Sequence, residues 1–341
     1  RLGGPLFHAA TATVLFVVGR KLYRPWTGAA AAALYLLMPG VALSSFIAAT
    51  DAPLLCFLSL SLLAYVSLRD DPADLKPAFG LGAALGLALL SKYAALYFLV
   101  GMALHLALSA EARKVWTLRR GLAAGLTLAA VIAPNLAWNA AHQFATVSHT
   151  AANANVGGAL FNPGEMLGFI GEQFGVFGPI PFAVLAGAGI TLAVRRRLTG
   201  PDLLLACLTV PPLAAMIVQA LISRANANWA ASAYVAGAVL TAALLTRDWS
   251  GGWTRAARVG LGAAIALQAA MALFIVIAAA NPRVVDQLGQ SNSIKRLRGW
   301  EEASDLVIQR ARTEALNGGI TAIAVEDRFL FNAMAYYGRD Y

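Results

Sequence analysis

Residues 77–108 read PAFGLGAALGLALLSKYAALYFLVGMALHLAL, an apolar run whose one charged side chain, Lys92, sits near its middle. A membrane-spanning helix needs about 20 apolar residues, with a range of roughly 17–25. The run is too long for one comfortable span, and Ser91-Lys92-Tyr93 interrupts it. This predicts two short helices, 77–91 and 94–108, meeting at that tripeptide. Similar apolar blocks stand on either side, near 4–19, 27–48, 52–68, 121–138, 167–194, 202–222, 228–246 and 257–280. Gly178-Pro179-Ile180-Pro181 inside one of them predicts a kinked or re-entrant first part.

The composition agrees. The 341 residues are 59% hydrophobic and 13% charged, about half the charge of a soluble domain, in which roughly 25% of residues are charged. Residues 281–341 read instead as ordinary soluble protein. Cys56 and Cys207 both lie inside apolar runs, as small core residues rather than a disulfide framework or a metal site. The net charge of +9 does not indicate a nucleic-acid partner, because its placement follows membrane topology.

One set of alternate loops holds Arg20, Lys21 and Arg24; Arg69 and Lys76; Arg113, Lys114, Arg119 and Arg120; Arg195–Arg197; and Arg247, Arg255 and Arg258. The opposite membrane-embedded loops hold only Lys92 and Arg224, and 139–166 has neither Lys nor Arg. The positive-inside rule places the first set in the cytoplasm, and splitting 77–108 keeps the alternation in phase. Arg1 and the tail from Asn281 then fall outside. The chain begins without Met or signal peptide, so at least one further span is expected upstream. The tail reads as a helix near 299–316, a turn at Asn317-Gly318-Gly319, a strand 320–325 and a helix from about 328. The expected fold class is an all-α polytopic membrane protein of about ten transmembrane helices over 1–280, with a small extracytoplasmic α/β domain over 281–341.

Ionisable residues at membrane depth are costly, and each raises a functional question. Asp51, in the tight turn Thr50-Asp51-Ala52-Pro53, has two readings. It caps the following helix, or it presents a surface carboxylate that orients an acceptor or helps hold a metal. Lys92 either snorkels or binds an anionic group such as phosphate. Arg224 offers a planar fork for phosphate oxygens, with Asn228 and Trp229 close by in sequence and Trp229 a candidate interfacial anchor. The segment 135–173 carries His142, His149, Glu172 and Gln173, either as a polar loop over a cleft or as donor and acceptor contacts. His142 and His149 are seven apart, which is not a zinc-ligand spacing. Glu326-Asp327-Arg328 reads as turn and cap chemistry. No metal or cofactor is indicated, and no P-loop, dinucleotide fingerprint or nucleophile elbow is present.

Several segments in order carry a family resemblance: Arg1-Leu2, Thr50-Asp51-Ala52-Pro53-Leu54, Gly86-Leu87-Ala88-Leu89-Leu90-Ser91-Lys92-Tyr93, Pro134-Asn135-Leu136-Ala137-Trp138-Asn139-Ala140-Ala141-His142, Glu172-Gln173-Phe174-Gly175, Asn228-Trp229-Ala230-Ala231-Ser232-Ala233-Tyr234 and Ala335-Tyr336-Tyr337. Across nearly the whole chain it resembles family 39 of the GT-C superfamily, the dolichyl-phosphate-mannose–protein mannosyltransferase-like membrane enzymes. The resemblance implies a polyprenyl-phosphate-sugar donor and an inverting transfer to a lipid or protein acceptor on the outer face of a bacterial inner membrane. It implies a general-base aspartate in the first outer loop, upstream of Arg1. It matches Asp51 to the acidic position of the second outer loop, and Lys92 and Arg224 to charge for the donor phosphate. Competing readings are a lipid-linked saccharide transporter or flippase, and a non-catalytic lipid-phosphate-binding protein. The nearly charge-free interiors of the spans count against a conduction path.

Overall fold

The computed structural model describes residues 2–153, 160–194, 198, 200–248, 252–281, 283–287, 289, 298–320 and 322–339. Arg1 and the basic cluster Arg195–Arg197 lie outside the described residues. The chain divides into two compact units, Arg1–Leu273 and Phe274–Tyr341.

The helices are α1 (Gly3–Leu22), α2 (Pro25–Leu36), α3 (Pro39–Ser44), α4 (Asp51–Ser67), α5 (Lys76–Ser91), α6 (Leu96–Leu108), α7 (Ala110–Val115), α8 (Leu118–Ala141), α9 (Ala145–Asn153), α10 (Pro163–Val176), α11 (Pro179–Val194), α12 (Gly200–Ile222), α13 (Ala233–Thr246) and α14 (Trp253–Ala280). Proline stands in the first turn of α2, α3, α5 and α10, where its missing N–H removes no helix bond. Among the described residues α8, α12 and α14 are long and apolar enough to cross a membrane. The bent pair of α10 and α11 makes a fourth crossing if it is one span, and α4, α5, α6 and α13 are shorter apolar helices. This is an all-α membrane protein.

Two of the apolar runs are broken. The run 27–48 divides into α2 and α3 ahead of Pro39. The run 167–194 bends by 120° between α10 and α11. Gly178 makes that corner with φ +101°, and a Cβ there would come within 2.8 Å of the Gln268 amide. The same amide donates to the Phe177 carbonyl at 2.7 Å, satisfying backbone freed by the bend.

Every residue of α13 is buried, and α1, α2, α4, α11 and α12 pack around it. Without water to exclude, helices in lipid associate through close packing, which small residues allow. A Cβ on Gly28 of α2 would run into Phe16 O of α1, and one on Gly82 of α5 would run into Ala124 O of α8. The outer side of α8 instead exposes Leu118, Leu122 and Leu126, four residues apart, an apolar stripe suited to lipid.

Contacts between loops fall into two groups. At one end Lys21 pairs with Asp70 at 2.5 Å, Arg24 with Asp248 at 3.0 Å, and Arg120 donates to the Val115 and Asp71 carbonyls at 2.6 Å. There Asp202, fully buried, takes Arg247 on both oxygens at 2.6–2.7 Å and the Tyr23 hydroxyl at 2.6 Å. Burial, then the Asp202 charge, pushes the Tyr23 phenol well above its usual range. At the other end Asp51 meets Lys92 and Asn228, and Asn162 donates to the Leu221 and Ile222 carbonyls at 3.4 and 3.2 Å. The loops that charge counting assigns to one side touch only one another in these pairings.

The second unit holds α15 (Arg283–Gln287), α16 (Trp300–Asn317) and α17 (Arg328–Tyr337). Trp300 stacks on Phe329, and Asp327 caps α17 by accepting from the Phe329 and Leu330 N–H groups at 2.8 and 2.9 Å. Of the expected strand, the described residues 320 and 322–325 carry no strand structure, and no strand occurs among the described residues to pair with them. A lone extended segment gains no ladder bonds.

Candidate active site

Three turns at one end of the bundle meet at Asp51. Its carboxylate accepts from Lys92 Nζ at 2.8 Å and from Asn228 Nδ2 at 3.0 Å. The Asp51 and Lys92 side chains are 14% and 29% exposed, so the pair lies partly out of water, where charge–charge attraction is screened less. Asp51 opens α4 without a side-chain cap bond. The helix start places it, and its oxygens go to tertiary partners instead.

Lys92 ends α5 in an extended conformation, φ −165° and ψ 137°, before a 3-10 turn at Tyr93–Ala95 leads into α6. The interruption seen in the sequence is therefore a backbone corner that turns the amine toward Asp51. Tyr93, the next residue, bonds Thr146 at 2.8 Å and Asn135 at 3.4 Å. That ties the corner to the segment following α8.

Asn228 sits in a 3-10 turn, Ala227–Ala230, held from behind by Gln173. Gln173 is buried; its amide donates to Ala227 O at 3.3 Å and its carbonyl oxygen accepts from the Tyr234 hydroxyl at 2.7 Å. Gln173 thus fixes the turn that carries Asn228. Trp229 packs against the small cluster of Phe169, Met216, Ala220 and Ala230. Arg224, four residues before Asn228, is exposed and in no ion pair among the described residues. Glu172 is also exposed.

The two histidines are not brought together on one helix. His142 follows α8, stacks on Trp138 with ring centroids 4.2 Å apart, and meets the Trp138 carbonyl at 2.8 Å. His149 lies on α9, beyond Gln143 and Phe144, which both take left-handed φ near +53° and break the helix. Among the described residues no three His, Cys, Asp or Glu side chains group as a metal site.

One further polar group escapes the reading of loops. His8, buried within α1, bonds the Tyr35 hydroxyl at 2.8 Å and Ser44 Oγ at 3.1 Å. An ionisable residue inside an apolar run was the available signal.

The site thus gathers a carboxylate, an amine and a carboxamide at one end of a membrane helix bundle. Comparison with known proteins gives the family. Residues 1–138 match the family model of dolichyl-phosphate-mannose-protein mannosyltransferases. Lipid A galacturonosyltransferase RgtD of Rhizobium johnstonii is 34% identical over 346 residues, covering 100% of this chain and 68% of that protein. No solved structure matches. With its helical membrane core, a family match over residues 1–138 and a likeness running the full chain, this protein belongs to the GT-C membrane glycosyltransferases.

Proposed function

We propose that this glycosyltransferase takes a sugar from a polyprenyl-phosphate donor and passes it, with inversion, to a lipid acceptor on the outer face of the bacterial inner membrane. The observation that carries the reading is the convergence of Asp51, Lys92 and Asn228 from three loops poor in other charge. In this reading about ten spans hold those loops and the C-terminal unit outside. Lys92 and Arg224 hold the donor phosphate and stabilise its charge as the sugar leaves, the electrostatic contribution that such transfers need. Inversion places base and leaving group on opposite faces of the sugar, and no residue of this chain is assigned as the base. Asp51 and Asn228 orient the acceptor beside Lys92. The similarity to RgtD supports an acceptor of the lipid A class. A lipid-bound, pre-activated sugar explains why no nucleotide site is needed at this face.

Titration of the purified protein with decaprenyl phosphate tests the site. A charge-assisted hydrogen bond contributes about 1.5–3 kcal/mol, so Lys92→Ala and Arg224→Ala should each weaken binding about tenfold or more. Parental affinity in both variants overturns the assignment.

A further inference from the structure

His8 ties together the three structural pieces that lead to Asp51. It lies on α1 and is 1% exposed. One ring nitrogen, Nδ1, meets the Tyr35 hydroxyl of α2 at 2.8 Å. The other, Nε2, meets Ser44 Oγ at the end of α3 at 3.1 Å. A polar ring in lipid-depth packing is costly unless both nitrogens are satisfied, and here both are.

The Ser44 arm points toward the site. Ser44 O accepts from Ile47 N at 3.2 Å, and Phe46 N donates to Leu43 O at 3.1 Å, so the chain is held through residue 47. Three residues remain before Asp51, too few to let the turn wander far. The start of α1 lies against the same turn: a Cβ on Gly4 would be 3.4 Å from the Ser44 and Ser45 carbonyl oxygens. On the other side α1 packs along α4, with Phe7 edge-on to Phe57 at 6.1 Å.

We infer that His8 is a positioning residue: through Ser44 it fixes the turn that delivers Asp51 to Lys92, and so sets how firmly the Lys92 amine is held. The role rests on the proposed phosphate site for its functional meaning, but the juxtaposition is testable apart from it. The two arms are separable by substitution. Glutamine reaches about as far as Nε2 and keeps the bond to Ser44. Asparagine reaches only about as far as Nδ1 and keeps the bond to Tyr35 alone.

The experiment measures the rate at which an amine-acylating reagent modifies Lys92 in the purified, folded protein, read by mass spectrometry with Lys114 as internal control. A net hydrogen bond of about 0.5–1.5 kcal/mol corresponds to a change of roughly two- to twelvefold. His8→Asn and Ser44→Ala should each raise the Lys92 rate about fivefold while Lys114 stays constant. His8→Gln should remain within about twofold of the parent. In an Asp51→Asn background, His8→Asn should add nothing, because the partner through which it acts is gone. An unchanged Lys92 rate in His8→Asn, equal effects of Asn and Gln, or an undiminished effect in the Asp51→Asn background overturns the inference. If His8→Asn fails to fold, Ser44→Ala reports the same arm. Decaprenyl phosphate titration of Lys92→Ala, run alongside, fails separately if the phosphate reading is wrong while the positioning stands.

Discussion

Replacing Asp51 by asparagine should tighten binding of a lipid phosphate while slowing sugar transfer. Lys92 Nζ lies 2.8 Å from the Asp51 carboxylate. A phosphate oxygen on the far side of the same ammonium, at a charge-assisted contact of about 2.8 Å, would sit about 5 Å from that carboxylate. Two unit negative charges at about 5 Å repel by roughly 0.8 kcal/mol in bulk water and about 3 kcal/mol at an effective dielectric of about 20. The pair is mostly buried but not sealed, at 14% and 29% side-chain exposure, so about 1–2 kcal/mol between those limits is appropriate. Losing the tether frees the lysine and costs up to about 1 kcal/mol of ordering entropy on binding. The net expectation is a gain of about 0–2 kcal/mol, centred on about 1 kcal/mol or roughly fivefold in affinity for decaprenyl phosphate, measured by calorimetry in detergent. The gain should shrink at about 1 M salt, where the screening length falls to about 3 Å. Weaker binding in Asp51→Asn would refute the reasoning, since it would make Asp51 an attractive element for phosphate, acting through a tether or a bound cation.

The remaining predictions address the scaffold. Arg247→Met removes the guanidinium nitrogen that contacts both oxygens of the buried Asp202 carboxylate, and should cost about 3–5 kcal/mol. Tyr23→Phe removes one bond to the same carboxylate and should cost less, about 1.5–3 kcal/mol; thermal melting in detergent gives the order, and the reverse order contradicts the pairing. Gly178→Ala forces a side chain into a left-handed corner against Gln268 and should lower stability by at least about 1–3 kcal/mol, with an unaffected melt counting against the bend. A cysteine at Asn153 should react with a membrane-impermeant reagent in intact cells; labelling only after lysis would invert the topology.

Much of the scaffold is legible in the linear chain because lipid imposes so few solutions. Backbone groups in hydrocarbon must bond within their own segment, so an apolar run of sufficient length becomes a helix. Lys92 marks the corner between α5 and α6 because an amine inside such a run must reach polar surroundings. The cap at Asp327 was equally readable, since its partners are two and three residues away. The strand expected at 320–325 was not, because a strand depends on a distant partner.

At the site the division follows the same physics. Local pattern selects Asp51, Lys92 and Arg224 as isolated charges in loops otherwise nearly free of them, since each stands out against its own neighbours. Pattern leaves open whether Asp51 caps its helix or binds elsewhere, as both choices fit the turn. The structure shows where its oxygens go: Lys92 and Asn228, 41 and 177 residues away, each donate to one of them. Gln173 reads as a loop contact and is instead buried behind the Asn228 turn, because its partner Tyr234 lies 61 residues on. The composition and order of the chain determine a charge-sorted bundle of membrane helices. Which charges meet within it depends on close contacts between helices distant in sequence, and only the packed structure supplies those.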